Sequence, residues 1–160
     1  MIAKPTMISA AVIAFAFVHV LGQQQQNVVP DICLGCICEA ISDCNITTAC
    51  NGDVCGLFRI TWPYWSDAGK PVLKFDNPQD PGAYQRCVTD PSCGAQAVNG
   101  YMAKFGQDCN NDGNIDCWDF AAIHKLGGYN CRQNIDPVYW AKFSNCQQQV
   151  AQLGLGNGRR

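Results

Sequence analysis

Glutamate is nearly missing from this chain: Asp and Glu together number 13 in 160 residues, and Glu39 is the one glutamate. Chemistry that depends on a pair of glutamates is therefore excluded, and any acid or base must be an aspartate or Glu39. Histidine is scarce too, with two in the chain; His19 lies in the apolar N-terminal stretch, which leaves His124. A zinc ribbon needs two ligand pairs converging on one ion, usually with histidine at hand, so close spacings such as Cys33/Cys36 do not read as zinc. Excess positive charge is absent as well. The 11 Lys and Arg are scattered, with only Arg159 and Arg160 adjacent, and the net charge is -2, with no basic patch to hold nucleic acid or an anionic wall by charge. Beyond residue 22 no apolar run is long enough to span a bilayer, and no internal repeat appears.

What the chain has in abundance is cysteine: 12, an even number, all after residue 32. Such density persists as a defined set only in an oxidising compartment, and reads as a disulfide framework. The N-terminus agrees. Lys4 followed by the apolar run Met7 to Leu21 and then Gly22 has the form of a cleaved signal peptide over residues 1–22. Residues 23–30, opening with four glutamines, form a polar leader expected to be disordered. Residues 31–150 make one disulfide-stapled domain, and 151–160 a flexible tail. The expected product is secreted and extracellular, with no membrane and no nucleic-acid partner. Asn45-Ile46-Thr47 is the single glycosylation sequon, placed between Cys44 and Cys50.

Helical signals dominate the rest. A first helix is expected over Ile32 to Ser42, and a strand over Gly56 to Thr61. Pro63 opens a short helix through Trp65. Asp80 or Pro81 opens one carrying Tyr84, Cys87 and Val88. Asp90 caps another from about Cys93 to Phe105, where Ala97, Tyr101 and Phe105 share a face. Trp118 to Leu126 is stopped by Gly127-Gly128, and a last helix runs from Pro137 to about Leu153. The expected class is α+β, mainly α, with a minor β element.

Three segments in order carry a resemblance: Cys33-Leu-Gly-Cys36-Ile-Cys38, then Cys55-Gly-Leu-Phe-Arg-Ile60, then Tyr64-Trp-Ser-Asp-Ala-Gly69. With Tyr101-Met102, Phe120-Ala121, Ile123-His124 and Gly127-Gly128, the chain resembles the invertebrate-type lysozyme (destabilase) family from about Asp31 to Cys146. The resemblance implies a small lysozyme-like domain acting on peptidoglycan or a chitin-like oligosaccharide. It further implies the pairs Cys38–Cys44, Cys50–Cys55, Cys87–Cys93, Cys109–Cys131, Cys33–Cys117 and Cys36–Cys146. Family members carry one more bridge, whose two positions map to Ala68 and Ala97.

Cleaving a β-1,4 glycosidic bond takes one carboxyl held protonated and a second that is ionised. The family's acid is a glutamate just before Ser, and Ile41 occupies that position here. Isoleucine has no proton to give, so the resemblance implies a lost acid. The substitutes in reach are Glu39, Asp43 and Asp53. Glu39 is two residues from Ile41, about 200° around a helix, and Asp43 is short. Asp53 lies in Asn51-Gly52-Asp53-Val54, which replaces a longer loop bearing the second carboxylate and has turn chemistry. The Ser/Lys pair credited with isopeptidase activity is missing also: its serine belonged to the lost loop, and its lysine position is Thr61.

The saccharide contacts of the family map to Thr61, Tyr64, Trp65, Tyr101, His124 and Gly127, where rings stack on sugar faces and polar edges meet hydroxyls; Trp65 and Tyr101 also read as core, which periodicity favours for Tyr101, and His124 as structural. One further motif is independent of the resemblance. Residues 108–119 have the oxygen spacing of a calcium loop: Asp108, Asn110, Asp112, the Asn114 carbonyl, Asp116 and Asp119, with Gly113 for the turn. Ile115 is expected to pack inward, and aspartate at the last position resembles the dockerin variant. Structural Ca2+ is the expected cofactor. Three readings follow: a glycan-binding protein without catalysis, a muramidase with a substitute acid, and a calcium-stabilised interaction module.

Overall fold

The structure, a computed structural model, describes residues 28–47 and 49–154. The expected signal peptide and most of the leader lie outside the described residues. Helix α1 spans Asp31–Ser42 and buries Cys33, Leu34, Cys36, Ile37, Cys38 and Ala40. It ends where Asp43 turns left-handed (φ 55°), and the Cys44 N–H returns to the Cys38 carbonyl at 3.2 Å, satisfying a terminal acceptor.

Strands β1 (Val54–Cys55) and β2 (Ile60–Thr61) form an antiparallel pair with Cys55 opposite Ile60. The expected strand over residues 56–61 is therefore realised only at its end. Gly56 explains why the chain leaves the ladder. It sits at φ 70°, and a Cβ there would lie 1.7 Å from the Val88 carbonyl oxygen. Backbone runs against backbone, and no larger residue fits.

Helix α2 is Trp62–Asp67, α3 Ala83–Thr89, α4 Pro91–Phe105, α5 Cys117–Leu126 and α6 Pro137–Gln152. Their starts are chemically marked. Asp90 accepts the Cys93 N–H at 2.8 Å and Asp136 the Val138 N–H at 2.8 Å, each followed by proline at the first helical position. Ala97, Tyr101 and Phe105 are all buried on α4, as their spacing predicts.

Helix α1 packs on α5 and α6, and α4 on α2, α3 and α5. Trp65, Phe143, Ile37, Ile60 and Met102 are the largest fully buried side chains between them. The six bridges form as the resemblance implies, and no cysteine is free. Three of them start from α1. The two alanines at the positions of the lost bridge lie on touching surfaces. A Cβ on Gly100 would sit 2.3 Å from the Ala68 carbonyl oxygen, and Ala97, fully buried, is one turn before Gly100 on the same helix face.

Two boundaries need correction. Val29, assigned to the leader, is fully buried, and its N–H donates to Asn99 Oδ1 at 2.9 Å; the domain captures the chain before α1 begins. At the other end α6 continues to Gln152, two residues into the expected tail. Among the described residues no helix is long and apolar enough to cross a membrane.

Candidate functional site

Ile41 lies in the last turn of α1, half-buried against the core. Beside it Ser42 Oγ–H donates to the Leu57 carbonyl, joining the end of α1 to the segment between the strands. None of the three substitute carboxylates is placed as a buried acid. Glu39 is exposed on the outer face of α1. Asp43, its side chain 73% exposed, pairs with Lys142 at 2.6 Å. Asp53 is exposed at the tip of a tight turn closed by mutual hydrogen bonds between Asn51 and Val54, 2.8 and 3.3 Å. The Tyr84 hydroxyl donates to the Asp53 carbonyl or, more closely, to that of Ile60; burial, then the Asp53 charge, pushes its pKa up to about 12. A proton held in a low-dielectric site by a raised pKa is what a glycosidase acid requires. The resemblance assigns that group to residue 41, which is isoleucine here.

The six groove residues divide sharply. Trp65 is buried at 2% exposure, with its indole N–H donating to the Pro71 carbonyl at 2.7 Å. Tyr101 is buried as well, its hydroxyl accepting the Gly128 N–H at 3.1 Å. Neither ring face is offered to a sugar; both rings take the core role, which periodicity favours for Tyr101. Thr61 caps α2 by accepting the Tyr64 N–H at 3.4 Å, and Gly127 (φ 83°) ends α5 below the Tyr101 hydroxyl.

Tyr64 and His124 come together across α2 and α5. The Tyr64 ring stacks on Tyr101 with centroids 3.7 Å apart. His124 Nε2 is 2.9 Å from the Phe58 carbonyl, an acceptor, so Nε2 carries the hydrogen. Burial, helped by Lys125 and opposed by the Phe58 carbonyl, lowers the His124 pKa to about 4. The ring is therefore neutral at ordinary pH, and its Nδ1 accepts from the Tyr64 hydroxyl at 3.1 Å. Burial, followed by the neighbouring Tyr101 and Tyr139, raises the Tyr64 pKa well above the usual phenol value. The pair is thus a fixed, uncharged polar edge with no acid or base poised near neutral pH.

This arrangement has a measurable pH signature. His124 has its folded pKa depressed below the unfolded value near 6.5, so the unfolded chain binds the extra proton first as pH falls. Stability should fall by about 3 kcal/mol between about pH 6.5 and pH 4 on this account, at 1.36 kcal/mol per unit. Urea unfolding of wild type and His124→Gln at pH 7 and 4.5 checks it; an equal acid loss in both proteins refutes the assignment.

Two site features were not foreseen. The Phe58 carbonyl, which sets the His124 tautomer, is a backbone group without any sequence signature. Trp62 is half-exposed at 51%, with the Lys70 ammonium 5.5 Å from its ring centroid, and precedes the proline that starts α2. Asn45 is exposed, and its side-chain oxygen accepts both the backbone N–H of Thr47, at 2.9 Å, and its hydroxyl, at 2.6 Å.

The 108–119 segment turns as its Asp/Asn content dictates, with its four carboxylates engaged by backbone donors. Asp108 accepts the Asp112 and Gly113 N–H groups at 3.2 and 3.0 Å, and Asp112 that of Asn114 at 2.9 Å. Asp116 caps α5 by accepting the Trp118 N–H at 2.8 Å. Asp119, only 1% exposed, has one oxygen on the Cys109 N–H and the other on the Asp116 N–H, at 2.7 and 2.9 Å. Among the described residues no three His, Cys, Asp or Glu side chains converge to hold a metal ion. Ile115 is 55% exposed, where inward packing was expected. Donors from the backbone and the Cys109–Cys131 bridge close this loop. The expected outcome of chelation is a melting temperature unchanged to within about a degree, a shift far below what 1 kcal/mol produces in a domain of this size. A fall of several degrees in EGTA, restored by Ca2+, would show that an ion displaces these donors.

Comparison with known proteins matches this framework. A family profile described as Destabilase covers residues 30–146. Invertebrate-type lysozyme 3 of Caenorhabditis elegans is 32% identical over 118 residues, spanning 71% of this chain and 84% of its own length. Among solved structures, the Meretrix lusoria lysozyme complexed with Aeromonas hydrophila PliI superposes with a TM-score of 0.59 at 25% identity, over 79% of this chain and 95% of that one. The Tapes japonica lysozyme gives a TM-score of 0.54 at 26% identity, over 75% and 89%. Shared fold and a match across the whole disulfide-bonded domain lead to one statement: the chain belongs to the invertebrate-type lysozyme, or destabilase, family.

Proposed function

We propose that this protein is a secreted lysozyme-family member, serving defence or digestion, that binds amino-sugar glycan such as peptidoglycan or chitin without hydrolysing it. The observation that carries the reading is Ile41, half-buried at the position of the acid. Glu39, Asp43 and Asp53 are all exposed, and none sits in an apolar pocket of the kind a glycosidase acid occupies. Twelve cysteines in six bridges support secretion. The exposed Asn45 supports N-glycosylation on the same route.

The test is a paired assay with an active family member as control. Oxidised protein is incubated with insoluble peptidoglycan and with chitin; retention on the solid and reducing ends in the supernatant are both measured. Retention with background product is expected. Product release at the control's rate defeats the loss of catalysis, and no retention on either polymer defeats glycan binding.

A further inference from the structure

Helix α5 presents two different faces to solvent-accessible space. His124 lies on one; Ala122, about 200° around the axis from it, lines a separate cleft of about 240 Å3. Trp118 from α5 and Trp140 from α6 form its aromatic walls, with centroids 5.4 Å apart and planes tilted by 60°. Both rings rest on the fully buried Phe143, at 5.2 and 5.5 Å, yet both keep part of their surface exposed. The rest of the lining combines apolar Ile135 and the Cys109–Cys131 bridge with polar Asn110, Arg132 and Gln133 at the side and Asp119 in the wall.

We propose that this cleft is a second saccharide site, taking a single neutral pyranose ring. The argument rests on shape, charge and rigidity together. Its volume is below the roughly 300 Å3 at which pockets for drug-sized ligands begin, so it suits one ring and not a chain. Tryptophan faces take the C–H face of a pyranose, while planar amide and guanidinium groups take its hydroxyls or acetamido group. One cation, Arg132, and one anion, Asp119, line the space. The Asp119 oxygens are already bound to backbone N–H groups, and the acidic 108–116 segment next to Arg132 disfavours an anionic guest. A cationic guest meets Arg132. An uncharged ring is what remains.

The walls are also held in place before any ligand arrives. Cys109–Cys131 and Cys33–Cys117 staple the segments on either side. Arg132 is oriented by donation to the Asp108 carbonyl at 3.1 Å, and Gln133 by donation to Asn130 Oδ1 at 3.0 Å. Preorganisation of this kind lowers the ordering cost of binding a small ligand.

The experiment is a 15N-resolved titration of the oxidised protein with N-acetylglucosamine, glucosamine and glucuronate, following the indole N–H signals. Saturable shifts at Trp118 and Trp140 with N-acetylglucosamine are expected in the millimolar range, at least fivefold weaker for the two charged sugars. Arg132→Ala and Gln133→Ala, both at exposed positions, should each weaken binding about tenfold, and Tyr64→Phe should leave it unchanged. Absence of saturable shifts at these two indoles overturns the proposal, as does binding unaffected by both cleft variants or shifts confined to Trp62 and His124. Polymer retention could still hold in those cases, so failure here is separable from failure of the glycan-binding reading.

Discussion

Ile41→Glu is expected to turn background activity on peptidoglycan into measurable release of reducing ends, at least about a hundredfold above wild type. General acid catalysis contributes roughly 10²–10⁴-fold, and the position sits half-buried against the core. A carboxyl placed there loses solvation and has its pKa raised, toward the protonated form that the step needs. The variant should remain well below an active family member, because the second carboxylate is not restored. Asp53 is at the tip of a turn only as long as Asn51–Val54, without the reach of the longer loop. The introduced carboxyl should also cost about 1–3 kcal/mol of stability, since a polar group replaces an apolar one against the core. Measuring reducing ends alongside urea unfolding separates the two effects. A folded Ile41→Glu no faster than wild type would locate the decisive loss in the 51–54 turn, and rapid turnover by wild type would sink the argument from Ile41.

Removal of the Cys36–Cys146 bridge is expected to be the most destabilising change to the covalent framework. The bridge closes a separation of 110 residues, against 6 for Cys38–Cys44. With Cys33–Cys117 intact the path that the bridge closes is about 32 residues, so loop-closure entropy assigns about 4 kcal/mol to it and about 2 kcal/mol to the short one. Domains of this size have only about 5–15 kcal/mol in total. Cys36→Ala/Cys146→Ala should consequently leave the protein partly unfolded at 37 °C, while Cys38→Ala/Cys44→Ala stays folded. Cys36 is fully buried where α1 meets α6, so the double variant also loosens the packing of that pair. Urea midpoints for the two variants make the comparison direct, and equal losses would contradict the entropic account.

Legibility followed the range of the interactions. Helix α4 could be read because its cap, its proline and its buried face all lie in one run from Asp90 to Phe105. The bridges became legible through family resemblance, since spacing alone leaves their pairing open. Trp65 stayed open between groove and core because an aromatic in either place has the same letter. Its burial depends on the Pro71 carbonyl and on Tyr84, whose ring lies 5.8 Å away. Val29 was lost to the leader because the acceptor that captures it, Asn99, is 70 residues on. The Tyr64–His124 contact spans 60 residues, and its third member is a main-chain oxygen. The 108–119 loop was legible as a turn, while its letters leave two uses for its carboxylates. Its letters fit a cation, but each carboxylate also fits the backbone donors of a turn or helix start, and Ile115 faces outward.

The three bridges rooted in α1 have a consequence for the fate of a cut chain. Phe75 stands 95% exposed in the helix-free stretch between α2 and α3, where a protease has the easiest access. A single cleavage there leaves Cys33 and Cys36 on one fragment and their partners Cys117 and Cys146 on the other. The two pieces stay tethered by two covalent links, run as one band until a reductant is added, and have no route to drift apart. In surroundings rich in digestive enzymes, a nick that dismantles an unbridged domain would leave this one assembled.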